Sequence, residues 1–289
     1  MTASITMTST TGSTTSTVTT SVAAYLDLIG VDRATPDRAL LDRLVTAHVA
    51  TIPFENLDPF TGVEPPTTAD GVAAKLVHGR RGGWCFEHNR LLHDALADLG
   101  LRVTPLVGRV RLGLAAEDPP TERTHRLTLV DTVEGRFTVD AGFGSTVPTT
   151  ALRLVAGLEQ PTPQATYRYA RGDHGSWVLQ RRGGDGGWAD QYTFDLAPAP
   201  DIDFAMGSWY LTHHPGSHFR TGLVAARTTP ERRTTLDGTR LTVRTADRAA
   251  QRHDLASPAR VRDALETHFG IDTGGVAGLE GRLREVYFP

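Results

Sequence analysis

Cys85 is the single cysteine of this 289-residue chain, and it follows a glycine pair in Arg81-Gly82-Gly83-Trp84-Cys85-Phe86-Glu87-His88-Asn89. A thiol placed there suits nucleophilic chemistry. Two glycines let the backbone enter conformations closed to other residues and let another group approach closely. From Phe86 to Leu99, apolar residues recur at Leu91, Leu92, Ala95, Leu96 and Leu99, one face of a helix that Gly100 would stop. Cys85 then stands near a helix N-terminus, where unpaired N–H groups and the macrodipole favour a thiolate. A lone cysteine also reads as a small buried hydrophobe. The glycine pair, the helix start, and a histidine and an aspartate downstream favour the chemical reading.

A thiol nucleophile needs a base, and the base needs a third group that fixes its tautomer and stabilises the imidazolium. His125 opens the segment HRLTLV, and Asp140 closes FTVD just before Gly142-Phe143-Gly144. A thiol of pKa about 8.5 is only about 3% ionised at pH 7, so full ionisation gains at most about 30-fold. The larger contribution must come from holding the acyl group and stabilising its oxyanion. An even hairpin loop puts His125 and Asp140 on one face, but a two-residue turn at Glu134-Gly135 sets Asp140 opposite Leu129, about 14 Å along the strand from His125. A bulge, a longer loop or another pairing is then required. Taken singly, His125 reads as a polar strand-end residue and Asp140 as a turn residue. His88, expected at the surface, and His93 compete for the role of base. The cluster His213-His214-Pro215-Gly216-Ser217-His218 lacks HExxH spacing and cysteine partners, so no metal is expected.

The elements that must carry these residues change character along the chain. Residues 1–20 are almost all Thr and Ser, with no basic start and no apolar centre; they read as a disordered tail, not a signal peptide. A helical unit follows: a short helix from Val22 to Gly30, a second capped by Thr35 with Pro36 at its first position, a third from Asp70 to His78, and the Cys85 helix. Ile52-Pro53-Phe54-Glu55-Asn56-Leu57 between them is extended. After Gly100 the period becomes alternating, with strands expected at 101–112, 125–130, 136–140, 166–169, 177–180 and 191–194, an antiparallel sheet or small barrel. The last third reads as α/β: a helix over 202–211, a strand over 218–226, a hairpin across Asp237-Gly238 and a helix from Ser257 to Phe269. The units divide at 21–104, 105–205 and 206–289. A net charge of −3 gives no electrostatic case for nucleic acid or a membrane surface. No apolar run approaches the roughly 18 residues of a membrane span, and one cysteine suits a reducing cytoplasm.

The motif Arg81–Asn89 resembles the RGGxCxExN signature of the arylamine N-acetyltransferases. Ile52–Leu57 is similar to that family's IPFENL segment, and Thr124-His125-Arg126-Leu127 and Val139–Gly144 resemble its histidine and aspartate blocks. The likeness continues through Pro161-Thr162-Pro163, Trp177–Gln180 and Pro215–Phe219, nearly everything after the tail. The resemblance implies an α+β fold of helical bundle, antiparallel β-barrel and α/β lid around a cysteine-protease-like core. It implies Cys85 as nucleophile, His125 as base, Asp140 as orienter, and acetyl-CoA as co-substrate acetylating an aromatic amine or hydrazine through a cysteine thioester. Phe54, Phe86, Phe143 and Phe219 match or adjoin positions lining the family's acceptor pocket. Arg81, Glu55 and Asn56 fall where the family ties its helical unit together near the site. Other outcomes share these residues: a macrolactam-closing amide synthase of the same family fed by a carrier-bound thioester, a cysteine peptidase or transglutaminase-type enzyme, or a silent binding protein. The oligomeric state is left open.

Overall fold

The computed structural model describes residues 15–115, 117–245 and 248–289, with side chains from residue 22 onward. The expected tail lies outside the described residues up to residue 14. From Thr15 the backbone is helical, so α1 (Thr15–Ile29) begins ahead of the expected Val22. Helix α2 (Arg38–Thr51) is capped by Asp37, whose carboxylate accepts the Leu40 N–H at 2.8 Å. Thr35 is therefore not the cap, and Pro36 precedes the helix; a carboxylate caps well and also meets the positive end of the dipole. Then come β1 (Phe54–Glu55), α3 (Leu57–Thr61), α4 (Ala69–Ala73) with its π-helical extension Ala74–His78, and α5 (Cys85–Asp98). The expected stripes are buried: Leu40, Leu41, Leu44 and Val45 of α2 meet Leu91, Leu92, Ala95 and Leu96 of α5 in one core.

Eight strands follow in an antiparallel sheet: β2 (Arg102–Val110), β3 (Arg123–Thr132), β4 (Gly135–Val139), β5 (Leu152–Arg153), β6 (Gln160–Pro161), β7 (Thr166–Arg171), β8 (Trp177–Arg182) and β9 (Trp188–Phe194), ordered β5-β4-β3-β2-β9-β8-β7-β6. Its two edges meet through Gln160. That side chain accepts the Arg153 N–H at 2.7 Å and donates to the Arg153 carbonyl at 3.0 Å, as a neighbouring backbone would. A parallel bridge, Ala156 to Tyr169, lies beside it. The sheet is in this way nearly a closed barrel.

Helix α6 (Asp201–His213) crosses the expected boundary at residue 205. The expected strand over 218–226 is instead a helical turn, α7 (His218–Thr221), followed by β10 (Val224–Thr228). Asn56 explains the break: its Nδ2 donates to the carbonyls of Phe219 and Gly222, each at 2.7 Å, and its Oδ1 accepts the Val224 N–H. Strands β11 (Arg232–Asp237), β12 (Arg240–Thr245) and β13 (Gln251–Asp254) complete a second antiparallel sheet, whose outer strand β1 comes from the helical unit. Helix α8 (Pro258–Ala264), capped by Ser257, runs on as a π-turn over Leu265–Phe269. A further helix, α9 (Leu279–Tyr287), was not expected. Leu236 and Leu241 of the second sheet face these helices in a separate core.

Candidate active site

Cys85 is the first residue of α5, and the loop before it is held by packing. Neither Gly82 nor Gly83 takes a positive φ, so backbone freedom is not why glycine stands there. A Cβ on Gly82 would lie 2.3 Å from the Pro53 carbonyl oxygen, and one on Gly83 would lie 2.5 Å from Glu87 Oε2. Glu87 Oε2 accepts the Trp84 N–H at 3.1 Å, while Oε1 receives Lys75 Nζ at 2.8 Å. Lys75 also binds Asp58 at 2.6 Å; Arg81 binds Glu55 at 2.8 Å and Asp58 at 3.0 Å. Three carboxylates thus share two cations beneath the loop. Burial pushes Glu87 up to about 7 despite the Lys75 charge.

His125 and Asp140 reach one another because the β3–β4 turn is one residue earlier than expected. Thr132 pairs with Gly135 and Thr128 with Val139, leaving Val133-Glu134 as the turn. Carried one residue on, this register sets Asp140 opposite Leu127, with His125 its diagonal neighbour on the same face. His125 Nε2 lies 2.7 Å from Asp140 Oδ2. The other oxygen, Oδ1, accepts from Asn89 Nδ2 at 2.8 Å and from the Gly142 N–H at 2.9 Å. Asn89 Oδ1 accepts the Ala141 N–H, so one α5 side chain fixes the whole Asp140 corner. Cys85 Sγ is 3.5 Å from the Thr124 carbonyl, and Cys85 and His125 line the same cavity. Burial opposes charge on His125, but the Asp140 carboxylate and the Cys85 contact outweigh it and hold the ring up to about 10. Burial likewise opposes the Asp140 charge, yet His125, Asn89 and the Gly142 N–H keep that carboxyl below its usual value.

The sign of these shifts sets a pH dependence. His125 lies above its ordinary 6.5, so its contribution to stability is complete below pH 6.5 and is lost as pH rises towards 10. Asp140, held below 3.8, contributes above that pH and is lost as pH falls through its lowered value. Urea midpoints should therefore decline from pH 6.5 to 10, and His125→Gln should remove that component. Gly142 gives a second test. A Cβ there would lie 2.6 Å from Cys85 Cα and 3.1 Å from its carbonyl oxygen. Gly142→Ala must push the start of α5 away from His125, and turnover should fall about 10²-fold, read as kcat/KM beside an unchanged circular dichroism spectrum.

Neither competing histidine fits the role of base. His88 is buried, not at the surface, because it bonds His48 and the Pro53 and Gly83 carbonyls. His93 meets Thr128 Oγ1 at 3.3 Å, and burial pulls it down to about 4. Among the described residues no group of three or more His, Cys, Asp or Glu converges as a metal site. Nor is any helix among them long and apolar enough to cross a membrane.

Cys85 and His125 open into a cavity of about 1050 Å³. Phe54, Phe143 and Phe219 line it; Phe86 does not. One helical residue past Cys85, Phe86 is turned by about 100°, and its ring packs on Trp84 and Phe204. Asn56 ties α3 to the second sheet, not the helical unit to itself. The cavity's far wall had no assignment from sequence. Alternation along β11 and β12 turns Arg233, Thr235, Asp237, Arg240, Thr242 and Arg244 towards it, with Arg233 directly opposite Arg244. Arg252 of β13 and Arg181 of β8 join them. Arg240 has Asp254 as partner, whereas Arg233 bonds the neutral carbonyls of Ser145 and Val147, and Arg244 the Thr235 hydroxyl. Burial and neighbouring guanidinium groups lower both Arg233 and Arg244.

Comparison with known proteins agrees with this architecture. A family model described as N-acetyltransferase matches residues 37–276. The arylamine N-acetyltransferase of Mycolicibacterium smegmatis is 43% identical over 269 residues, covering 91% of this chain and 96% of that one. The arylamine N-acetyltransferase / N-hydroxyarylamine O-acetyltransferase of Salmonella typhimurium is 36% identical, covering 83% and 85%. The solved structure of Mycobacterium marinum arylamine N-acetyltransferase in complex with CoA superposes with a TM-score of 0.87 at 37% identity, covering 92% of this chain and 99% of that one. The fold is thus a shared one, and this chain is a member of the arylamine N-acetyltransferase family.

Proposed function

We propose that the protein moves an acetyl group from acetyl-CoA to an aromatic amine or hydrazine through a thioester on Cys85. The observation that carries this reading is Cys85 and His125 lining one cavity, with the His125 ring held by Asp140 at 2.7 Å. In the first half-reaction Cys85 Sγ bonds the acyl carbon as the thiolate, its proton already held by the His125 ring, whose charged form the site favours. The donor's C–S bond breaks, and the departing thiolate takes the proton back. In the second, the amine nitrogen bonds the acyl carbon, His125 takes the amine proton, and the Cys85 C–S bond breaks. The Glu87 and His88 N–H groups are taken by the Trp84 carbonyl, and those of Cys85 and Phe86, the first two of α5, suit the developing oxyanion. Phe54, Phe143 and Phe219 offer ring faces and edges to a flat acceptor.

The residues present fit a CoA donor. Its pyrophosphate and 3′-phosphate require cations, and the arginine wall supplies guanidinium groups, among them a buried Arg181 Nε without a hydrogen-bond partner among the described residues. In this division the helical unit brings the nucleophile, the barrel brings base and orienter, and the second sheet brings the phosphate wall. Arg244→Ala should raise KM for acetyl-CoA about tenfold, one charged hydrogen bond, and leave KM for S-acetylpantetheine, which lacks phosphate, unchanged. The reaction also needs a reducing compartment that keeps Cys85 a free thiol. The deciding experiment weighs the intact protein after incubation with acetyl-CoA. An acetyl adduct in the wild type, absent in Cys85→Ala and discharged by an aryl amine, is expected; no adduct, or one that persists in Cys85→Ala, removes the mechanism.

A further inference from the structure

Tyr25, His48 and His88 form a buried row behind the nucleophile loop, and the chemistry above leaves them without a task. Tyr25 Oη is 2.9 Å from His48 Nδ1, and His48 Nε2 is 2.7 Å from His88 Nδ1. His88 Nε2 reaches the carbonyl oxygens of Pro53 at 3.2 Å and Gly83 at 3.0 Å. The three side chains come from α1, α2 and α5, and none is more than 1% exposed.

Hydrogen positions in this row follow from its far end. A carbonyl only accepts, so His88 Nε2 must carry a hydrogen. In a neutral ring Nδ1 then accepts, which obliges His48 Nε2 to donate. His48 Nδ1 in turn accepts the Tyr25 hydroxyl hydrogen. Burial disfavours a second proton on either ring, pulling His88 down to about 4; its two carbonyl bonds oppose that, as does Asp140, and Lys75 adds to it. His48 is lowered by burial and by His88.

The carbonyls at the end of the row belong to the segments flanking the site. Gly83 oxygen also accepts the Glu55 N–H at 2.7 Å, Pro53 oxygen accepts the Gly83 N–H at 3.3 Å, and Phe54 and Gly83 form a parallel bridge. The Phe54 ring, which lines the cavity, stacks on His88 with 6.1 Å between centroids at 16°. Two residues past Gly83 stands Cys85.

We propose that Tyr25, His48 and His88 are positioning residues: a one-way hydrogen-bond chain of two neutral Nε2–H imidazoles that fixes the Pro53–Phe54 and Gly83–Cys85 backbone along the cavity wall. Its kinetic consequence rests on Cys85 being the nucleophile; its hydrogen positions do not, so the two can fail separately. The test uses the full chain with ¹⁵N-labelled histidine and long-range ¹H–¹⁵N spectra at pH 7. Both rings should be neutral Nε2–H tautomers. Tyr25→Phe should leave both unchanged, because direction is set at the carbonyl end. His88→Leu should slow Cys85 alkylation by iodoacetamide about 10²-fold, while His88→Gln, which keeps a donor for the carbonyls and an acceptor for His48, should restore most of that rate. A cationic or Nδ1–H ring in the wild type, a tautomer flip in Tyr25→Phe, or equal losses in the Leu and Gln variants would overturn the proposal. Should His88→Leu not fold, the wild-type and Tyr25→Phe spectra decide alone.

Discussion

Asp140→Asn is expected to lower kcat about 10⁴-fold with the fold intact, the scale of carboxylate-to-amide change in other triads. The surroundings of Asp140 say why. Oδ1 faces two donors, Asn89 Nδ2 and the Gly142 N–H, so an asparagine must place its carbonyl oxygen there. Its NH₂ group then faces His125 Nε2 and donates to it. The ring is forced to present a lone pair at Nε2 and a hydrogen at Nδ1, on the side of Cys85. A ring in that tautomer cannot take the thiol proton. Iodoacetamide alkylation of Cys85 should slow in parallel, and urea midpoints at neutral pH should drop because His125 loses its carboxylate. A variant that kept wild-type turnover would mean that His125 is not the base.

Lys75→Met should cost about 3–5 kcal/mol of stability at pH 8, the usual consequence of removing one partner from a buried ion cluster. Lys75 joins Asp58 and Glu87, and Glu87 is 1% exposed at its side chain. Without the ammonium group Glu87 has no cation, and Asp58 and Glu55 must share Arg81. The cost should shrink towards pH 5. Glu87 already sits near 7 with Lys75 present, and losing that cation moves it higher, so acid neutralises the orphaned charge. Urea unfolding at pH 5 and pH 8 reads the difference directly. Equal losses at both pH values would mean that the cluster is hydrated rather than buried. Activity should fall too, since Glu87 also holds the Trp84 N–H one residue before Cys85.

The parts of this site that were legible in the sequence are those where residue type and a short motif coincide. Cys85 at a helix start follows from Gly82-Gly83 and the stripe Leu91, Leu92, Ala95, Leu96, although the glycines serve close packing against Pro53 and Glu87 and not unusual torsions. The reach of Asp140 to His125 was obscured by one turn residue, because every position of a hairpin moves with its turn. Phe86 was misplaced because neighbours on a helix point in different directions, so adjacency to Cys85 says nothing about facing the cavity. Roles that depend on distant partners had no local signal. Asn89 acts on residues 51 and 52 positions away, and Lys75, Asp58, Tyr25 and His48 find theirs only once the helices of the N-terminal unit have packed. The arginine wall is an intermediate case: RRTTLDGTRLTVR alternates visibly, but only the barrel opposite turns that face into a binding surface. Helix α9 is short and carries Gly281, which weakens its propensity and hid it.

Strand β1 couples the second sheet to the nucleophile loop. The same short segment is laddered to β10 on one side and bridged to Gly83 on the other, and Asn56 straps α7 to it. Floor and roof of the chamber are consequently joined at Phe54, through backbone pairing on both of its sides. Cleavage of the connection before α6 should accordingly nick the chain without releasing its C-terminal third.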